Sequence, residues 1–198
     1  EGWSYITVLS ECDVDVETLF AGNQNNIVIV QDLIGTQVYW PSMGINTLQN
    51  LIPGKAYKMK ALNDFTLTFP ACTDGSKKGH VSRQNTLSTP WGNSLMTPFT
   101  EVIAVNSSAI SDFAAGDMIA AFNQSGNICG YMEISHTDAM QSLLLFGNDP
   151  TTDEADGFDD GEIVSYKLFH TASGESYDLQ VVYDANIGNS SGLFNNNT

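Results

Sequence analysis

The chain has 198 residues, of which 42% are hydrophobic and only 15% charged, so it can bury a core beneath a neutral-polar surface of Asn, Ser, Thr and Gly. Its formal charge of −16 repels nucleic acid and anionic membranes and attracts divalent cations, and no run approaches the ~20 apolar residues that span a bilayer. The charge is unevenly shared: 6 basic residues face 8 acidic ones through Ser88, whereas Lys167 alone faces 15 acidic residues from Thr89 onward.

The chain opens on a strand-like run, residues 3–9, with no signal peptide ahead of it, as expected of a mature cleaved chain or of a segment of something longer. A short helix with an acidic first turn is predicted over 15–21. Period-two apolar runs over 26–30 and 37–40 flank a Gly-containing connection of hairpin length, and further strands are predicted over 55–60 and 65–69. Cys12 and Cys72 lie near the two ends of this first half, where a bridge between them would staple it. The polar stretch that follows carries Lys77, Lys78 and Arg83 and reads as a linker or exposed loop.

Six strands are predicted beyond it, over 99–105, 118–122, 128–134, 142–146, 163–169 and 177–183, with a clear turn at 123–127. Cys129, inside an apolar strand, reads as a buried free thiol. The Asn-rich tail over 192–198 has no apolar period, so its order would point to a neighbouring subunit or domain that holds it. The expected architecture is all-β: two small antiparallel β-sandwich-like units in tandem, with an N-terminal module over 1–73, a linker over 74–88 and an acidic module over 89–198.

The first half carries Gly2-Trp3, Val30-Gln31-Asp32, Tyr39-Trp40-Pro41, Ile45-Asn46 and Pro53-Gly54-Lys55-Ala56-Tyr57. In this it resembles a module widespread in secreted and cell-surface proteins of Bacteroidetes, many of them exported by the type IX pathway, with Gln31 in place of the usual Lys. The second half is similar to a partner module of the same proteins through Thr89-Pro90 with Met96, the strand from Gly116 to Phe122, Cys129-Gly130 and the acidic loop NDPTTDEADGFDDGE. The resemblance implies an extracellular compartment and a modular β architecture, and it leaves activity open, because such modules occur in adhesins, appendages and large enzymes alike.

The acidic loop is the densest chemical feature. Asp149, Asp153, Asp156, Asp159, Asp160 and Glu162 stand close together with no neighbouring base, and a hard cation with oxygen ligands would relieve their repulsion. Calcium is the expected ion, with Asp156, Asp159 and Asp160 as leading ligands; the spacing is not that of an EF-hand, and a solvated loop is the alternative. The three histidines, His80, His136 and His170, are widely spaced, and no nucleophile elbow or phosphate loop is present, so no enzyme is expected. Trp91, between Pro90 and Gly92, reads as an exposed aromatic suited to stacking on a sugar, whereas Trp3 and Trp40 read as core anchors.

The expected function is an extracellular structural or adhesive surface module that packs against copies of itself or against other domains, as a self-assembling subunit of a surface appendage or filament would. A glycan-binding module and a noncatalytic accessory domain of a secreted hydrolase are the alternatives.

Overall fold

Alternating apolar residues need a partner layer, and the chain supplies one in each of two compact units, Glu1–Gln84 and Asn85–Thr198. The structure, a computed structural model, describes residues 2–72, 89–94, 96–109, 112–152 and 155–196. The expected linker with Lys77, Lys78 and Arg83 lies outside the described residues, as do His80 and the acidic-loop residue Asp153. Both units are built from antiparallel strands, so the fold is all-β.

In the first unit β1 (Gly2–Thr7), β2 (Val14–Asp15), α1 (Val16–Phe20), β3 (Ile27–Asp32), β4 (Val38–Trp40), β5 (Ile45–Asn46), β6 (Asn50–Leu51) and β7 (Ala56–Ala61) follow in order. Among the described residues five strands form one sheet in the order β1-β7-β3-β4-β5, and β2 pairs with β6. The sheet turns Ile6, Val30, Tyr39 and Tyr57 toward a core completed by Val16, Phe20 and Leu51. A five-residue helix has no stability of its own. Here Asp15 caps it, its carboxylate accepting the Thr18 N–H at 2.7 Å, and Phe20 is fully buried and stacked on Tyr39. The β3–β4 hairpin is closed by Asp32, whose carboxylate accepts from the Gly35 N–H and the Thr36 hydroxyl, with Gly35 at φ 92°.

Two expectations change here. Trp3 and Trp40 are only half-buried, because the core faces of their strands carry Ile6 and Tyr39, and each tryptophan is offset from that phase by an odd number of positions. Residues 65–69 keep the expected alternation, with Phe65, Leu67 and Phe69 packed on the core, but they join no ladder. Alternation dictates which side chains turn inward and says nothing about a backbone partner. The segment is instead fastened at both ends. Asn26 and Asn63 exchange hydrogen bonds at 2.9 Å, and Cys12 and Cys72 form a disulfide, their Cα atoms 5.7 Å apart.

The second unit contains β8 (Thr100–Asn106), β9 (Met118–Phe122), β10 (Ile128–Glu133), β11 (Met140–Phe146), β12 (Ser165–His170) and β13 (Glu175–Leu179). A sheet in the order β10-β9-β12-β13 and the pair β11-β8 enclose a core that includes Ile119, Met132, Leu143, Leu145, Tyr166 and Leu168, which gives the unit its β-sandwich character. Gly130 marks a ladder irregularity in β10, where an added Cβ would lie 2.3 Å from the Leu144 carbonyl oxygen. The adjacent Cys129 is a free, buried thiol, and burial pushes its pKa up to about 11. The strand expected over 177–183 begins earlier and stops at Leu179, whose partner Tyr166 is next to the first residue of β12. Tyr183 then lies against the core, its hydroxyl 3.2 Å from that of Tyr166.

Within the unit, Phe194 anchors the described part of the tail. Phe194 is buried and stacked on Phe158 at 5.3 Å between centroids, its N–H donates to the Glu162 carbonyl, and its carbonyl accepts from Gly161. Composition concealed this, because one phenylalanine among asparagines creates no period.

The disulfide closes a loop of 60 residues, for which chain entropy gives a stabilisation of about 4 kcal/mol. Paired Cys12→Ser/Cys72→Ser substitution should therefore lower the denaturant midpoint and release residues 64–72 to fast amide exchange. An unchanged midpoint would mean that Phe65, Leu67 and Phe69 hold the segment unaided.

Candidate functional site

A carboxylate can be neutralised by a cation, by a proton or by N–H donors aimed at it, and the second unit relies heavily on the third route. The acidic loop leaves β11 through a stem in which two backbones touch: a Cβ on Gly157 would sit 2.2 Å from the Gly147 carbonyl carbon. The Asn148 N–H donates to the Phe158 carbonyl at 2.7 Å, and the Phe158 N–H to that of Phe146 at 2.9 Å. Above this stem Asp156 accepts the Asp149 N–H at 2.9 Å, and Asp149 accepts both the N–H and the hydroxyl of Thr151. Those bonds, the hydroxyl foremost, hold the Asp149 carboxyl below its ordinary pKa.

Glu162 uses both oxygens, for the N–H groups of Gln124 at 2.7 Å and Asp159 at 2.9 Å. Asp159 accepts the Asn148 carboxamide at 3.2 Å, and Asp160 accepts the Asn196 N–H at 3.2 Å. Among the described residues no three of the Asp, Glu, His or Cys side chains stand close enough together to hold a metal ion. The structure thus brings Asp149 to Asp156 and Glu162 to the Asp159 backbone, but it does not gather Asp156, Asp159 and Asp160 at one point.

Trp91 is half-buried rather than freely exposed. Its indole N–H donates to the Ser176 hydroxyl at 3.0 Å, and its ring meets Phe122 and Phe169 edge-on at 5.8 and 5.9 Å. It therefore spans three strands on the face of the sheet opposite the main core, beside Ala120 and Ile128. There it borders an open cavity of about 330 Å³ whose lining includes Asn93, Gly126, Asn127, Ile128 and Asp156. The contact was not legible in Pro90-Trp91-Gly92, since the ring's neighbours come from residues 29 to 85 positions away.

A further charged site escapes the sequence reading. Asp117 is buried, 2.8 Å from His170 Nδ1, and accepts the N–H groups of Ala114 at 2.9 Å and Thr171 at 3.0 Å. Burial raises the Asp117 pKa, but the two N–H groups and His170 together outweigh it and leave the carboxyl below its ordinary value. Among the described residues no hydroxyl or thiol is hydrogen-bonded to the other ring nitrogen of His170, and the Thr171 hydroxyl donates to the Gly116 carbonyl. The pair acts as a strut between the start of β9 and the β12–β13 turn. Its trace in the sequence is Gly116-Asp117, a turn carboxylate directly ahead of an apolar run. His136 makes a looser, exposed approach to Asp138 at 3.6 Å.

Comparison with protein-family models, with curated proteins and with solved structures finds no match.

Because the folded pKa of Asp117 lies below its unfolded value of about 3.9, its contribution is complete above that pH and is lost as pH falls through the folded value. Asp117→Asn turns an amide donor toward donors already present and should destabilise the unit by about 2–4 kcal/mol at neutral pH. Urea unfolding across pH should show a gap between wild type and variant that is steady at neutral pH and narrows in acid. A pH-independent gap would assign the loss to packing.

Proposed function

We propose that this chain is an extracellular, noncatalytic structural or adhesive surface module that packs against copies of itself or against other domains of a surface assembly. The resemblance to secreted Bacteroidetes modules supports this reading, and the disulfide suits an oxidising compartment. No helix among the described residues is long and apolar enough to cross a membrane.

The observation that carries the self-association is the division of charge. The second unit bears 15 acidic residues against Lys167, so two such units repel each other. The first unit holds most of the basic residues, with Lys55 exposed and Lys58 and Lys60 half-buried on or beside β7. A contact from the second unit of one copy to the first unit of the next is favoured electrostatically over contact between like units. Such a heterologous contact continues into an open chain of subunits unless its rotation closes a ring. Apolar surface is available for it on both sides: Tyr5 and Leu9 on the first unit, and Val181 and Val182 after the edge strand β13 on the second, all exposed.

Sedimentation of the full chain should show concentration-dependent association at low ionic strength that weakens with added salt, because surface charge is screened beyond about 8 Å at physiological salt. Lys55→Glu/Lys60→Glu should weaken it further. Association that strengthens with salt and ignores the charge reversal would point to apolar contacts without the polarity proposed.

Calcium enters the same proposal as the ligand of the acidic loop. Asp149, Asp159 and Asp160 each commit one oxygen to the bonds described, and a cation would draw on the others while the loop closes around it. Ion at one hundred times its dissociation constant adds about 2.7 kcal/mol, so the melting midpoint should rise by several degrees over that in chelator. An unmoved midpoint would leave the loop organised by its own N–H donors.

A further inference from the structure

Trp91 is held by restraints that do not themselves require it to border a cavity. The Ser176 hydroxyl fixes its N–H, and Phe122 and Phe169 fix its plane, so little side-chain freedom is left to lose when something packs against it. The facing wall is equally fixed. Asn123, 6% exposed, accepts the Asn127 N–H at 2.8 Å and donates its amide to the Gly157 carbonyl at 3.2 Å. It thereby ties the turn that carries Asn127 to the stem beneath Asp156, and the Gln124 N–H adds a second tie to Glu162. The Asp156 carboxylate is oriented in turn by the Asp149 N–H.

These parts surround one cavity and are chemically mixed. Asn93 and Asn127 are exposed, and no hydrogen bond of either carboxamide is described within the protein, so each has donors and an acceptor free for a ligand. Asp156 offers acceptors only. An aromatic wall, two free carboxamides and a carboxylate match a molecule with an apolar C–H face and a rim of hydroxyls. Hydroxyls donate to the carboxylate and exchange hydrogen bonds in both directions with the amides, while the C–H face lies against the indole.

Charge narrows the choice. With 15 acidic residues and Lys167 in its half of the chain, and Asp156 in the wall, the site disfavours uronic, sialic or sulfated sugars. A quaternary ammonium calls for a cage of aromatic rings, and among the described residues Trp91 is the one aromatic in the lining. The cavity is at the small end of ligand sites, suited to a single ring rather than to a long chain laid across the surface. We propose that Trp91, Asn93, Asn127 and Asp156 form a binding site for one neutral pyranose ring, free or at the end of a glycan. The site goes beyond the assembly reading and does not depend on it, since sugar binding is measured on dilute chain whether or not copies associate.

The test is an NMR titration of the full chain at low concentration with the methyl glycosides of mannose, galactose, glucose and N-acetylglucosamine, one at a time, with glucuronate and tetramethylammonium as further arms. The expected result is a saturable shift of the Trp91 indole N–H and of the Asn93 and Asn127 side-chain amides with at least one neutral glycoside. The Trp3 and Trp40 indoles should stay still, and glucuronate should bind more weakly. Trp91→Ala and Asn127→Ala should each weaken binding about tenfold or more. Asn127→Ala, whose side chain supports no described contact, should do so with an unchanged melting midpoint. The proposal is overturned if no neutral glycoside moves the Trp91 signal, if tetramethylammonium or glucuronate binds as well as the best glycoside, or if Asn127→Ala binds like wild type.

Discussion

A β-sandwich with one lysine among fifteen acidic residues can give that lysine to few of them, Lys167 lying 3.4 Å from Asp178, and backbone N–H groups do much of the work of answering the other carboxylates in the second unit. Glu101, 4% exposed in β8, accepts the Asn195 N–H and the Asn189 carboxamide at 2.9 Å and so binds the tail to the sheet. Asp117 binds the approach to β9 to the β12–β13 turn. Glu162 binds the 123–127 turn to the acidic loop. Each bond satisfies a donor that a loop would otherwise leave to water, and charge-assisted bonds of this kind are about twice as strong as neutral ones. The acidic residues thus act as fasteners between loops, which makes their number compatible with a stable unit.

Glycine makes those fasteners possible where backbones have to touch. At Gly147 and Gly157 the two sides of the acidic-loop stem meet too closely for any side chain, and the Phe158–Phe194 stack seals the core below them. At Gly130 the same demand is made where β10 passes Leu144. The loop is consequently anchored to the core at its base while Asp156 stands at the rim of the Trp91 cavity. The first unit solves a different problem, an extended segment without a ladder, by clamping it with Asn26, Asn63 and the Cys12–Cys72 bridge.

Much of the strand content was legible because period-two runs report burial directly: β9 coincides with its expected span of 118–122, and the capped helix lies within 15–21. What alternation cannot encode is pairing and phase. It marked 65–69 as a strand although the segment bonds to no neighbour, and it could not tell whether Trp40 or Tyr39 faces the core. The site was less legible than the fold. A run of carboxylates without lysines suggests a cation, since the backbone N–H groups that answer them have no identity in the sequence; those of Gln124, Asp149 and Asn196 are distributed over more than seventy residues. Asp117 and His170, 53 residues apart, meet only because β9 and β12 are neighbours in the sheet.

If fixed carboxylates organise the second unit, a rigid surface follows, and rigidity is what a module needs to present one face repeatedly to a partner or a pre-set wall to a small ligand. The most direct measurement is amide hydrogen exchange of the full chain at neutral pH in the presence of chelator. The N–H groups of Ala114, Gln124, Asp159 and Asn195 should be protected well above the level of free loops, and Glu162→Gln should weaken the protection of Gln124 and Asp159 together while sparing Ala114. Exchange of all four at the rate of an unstructured chain, with protection gained only when calcium is added, would contradict this account and make the cation, not the backbone, the organiser of the unit.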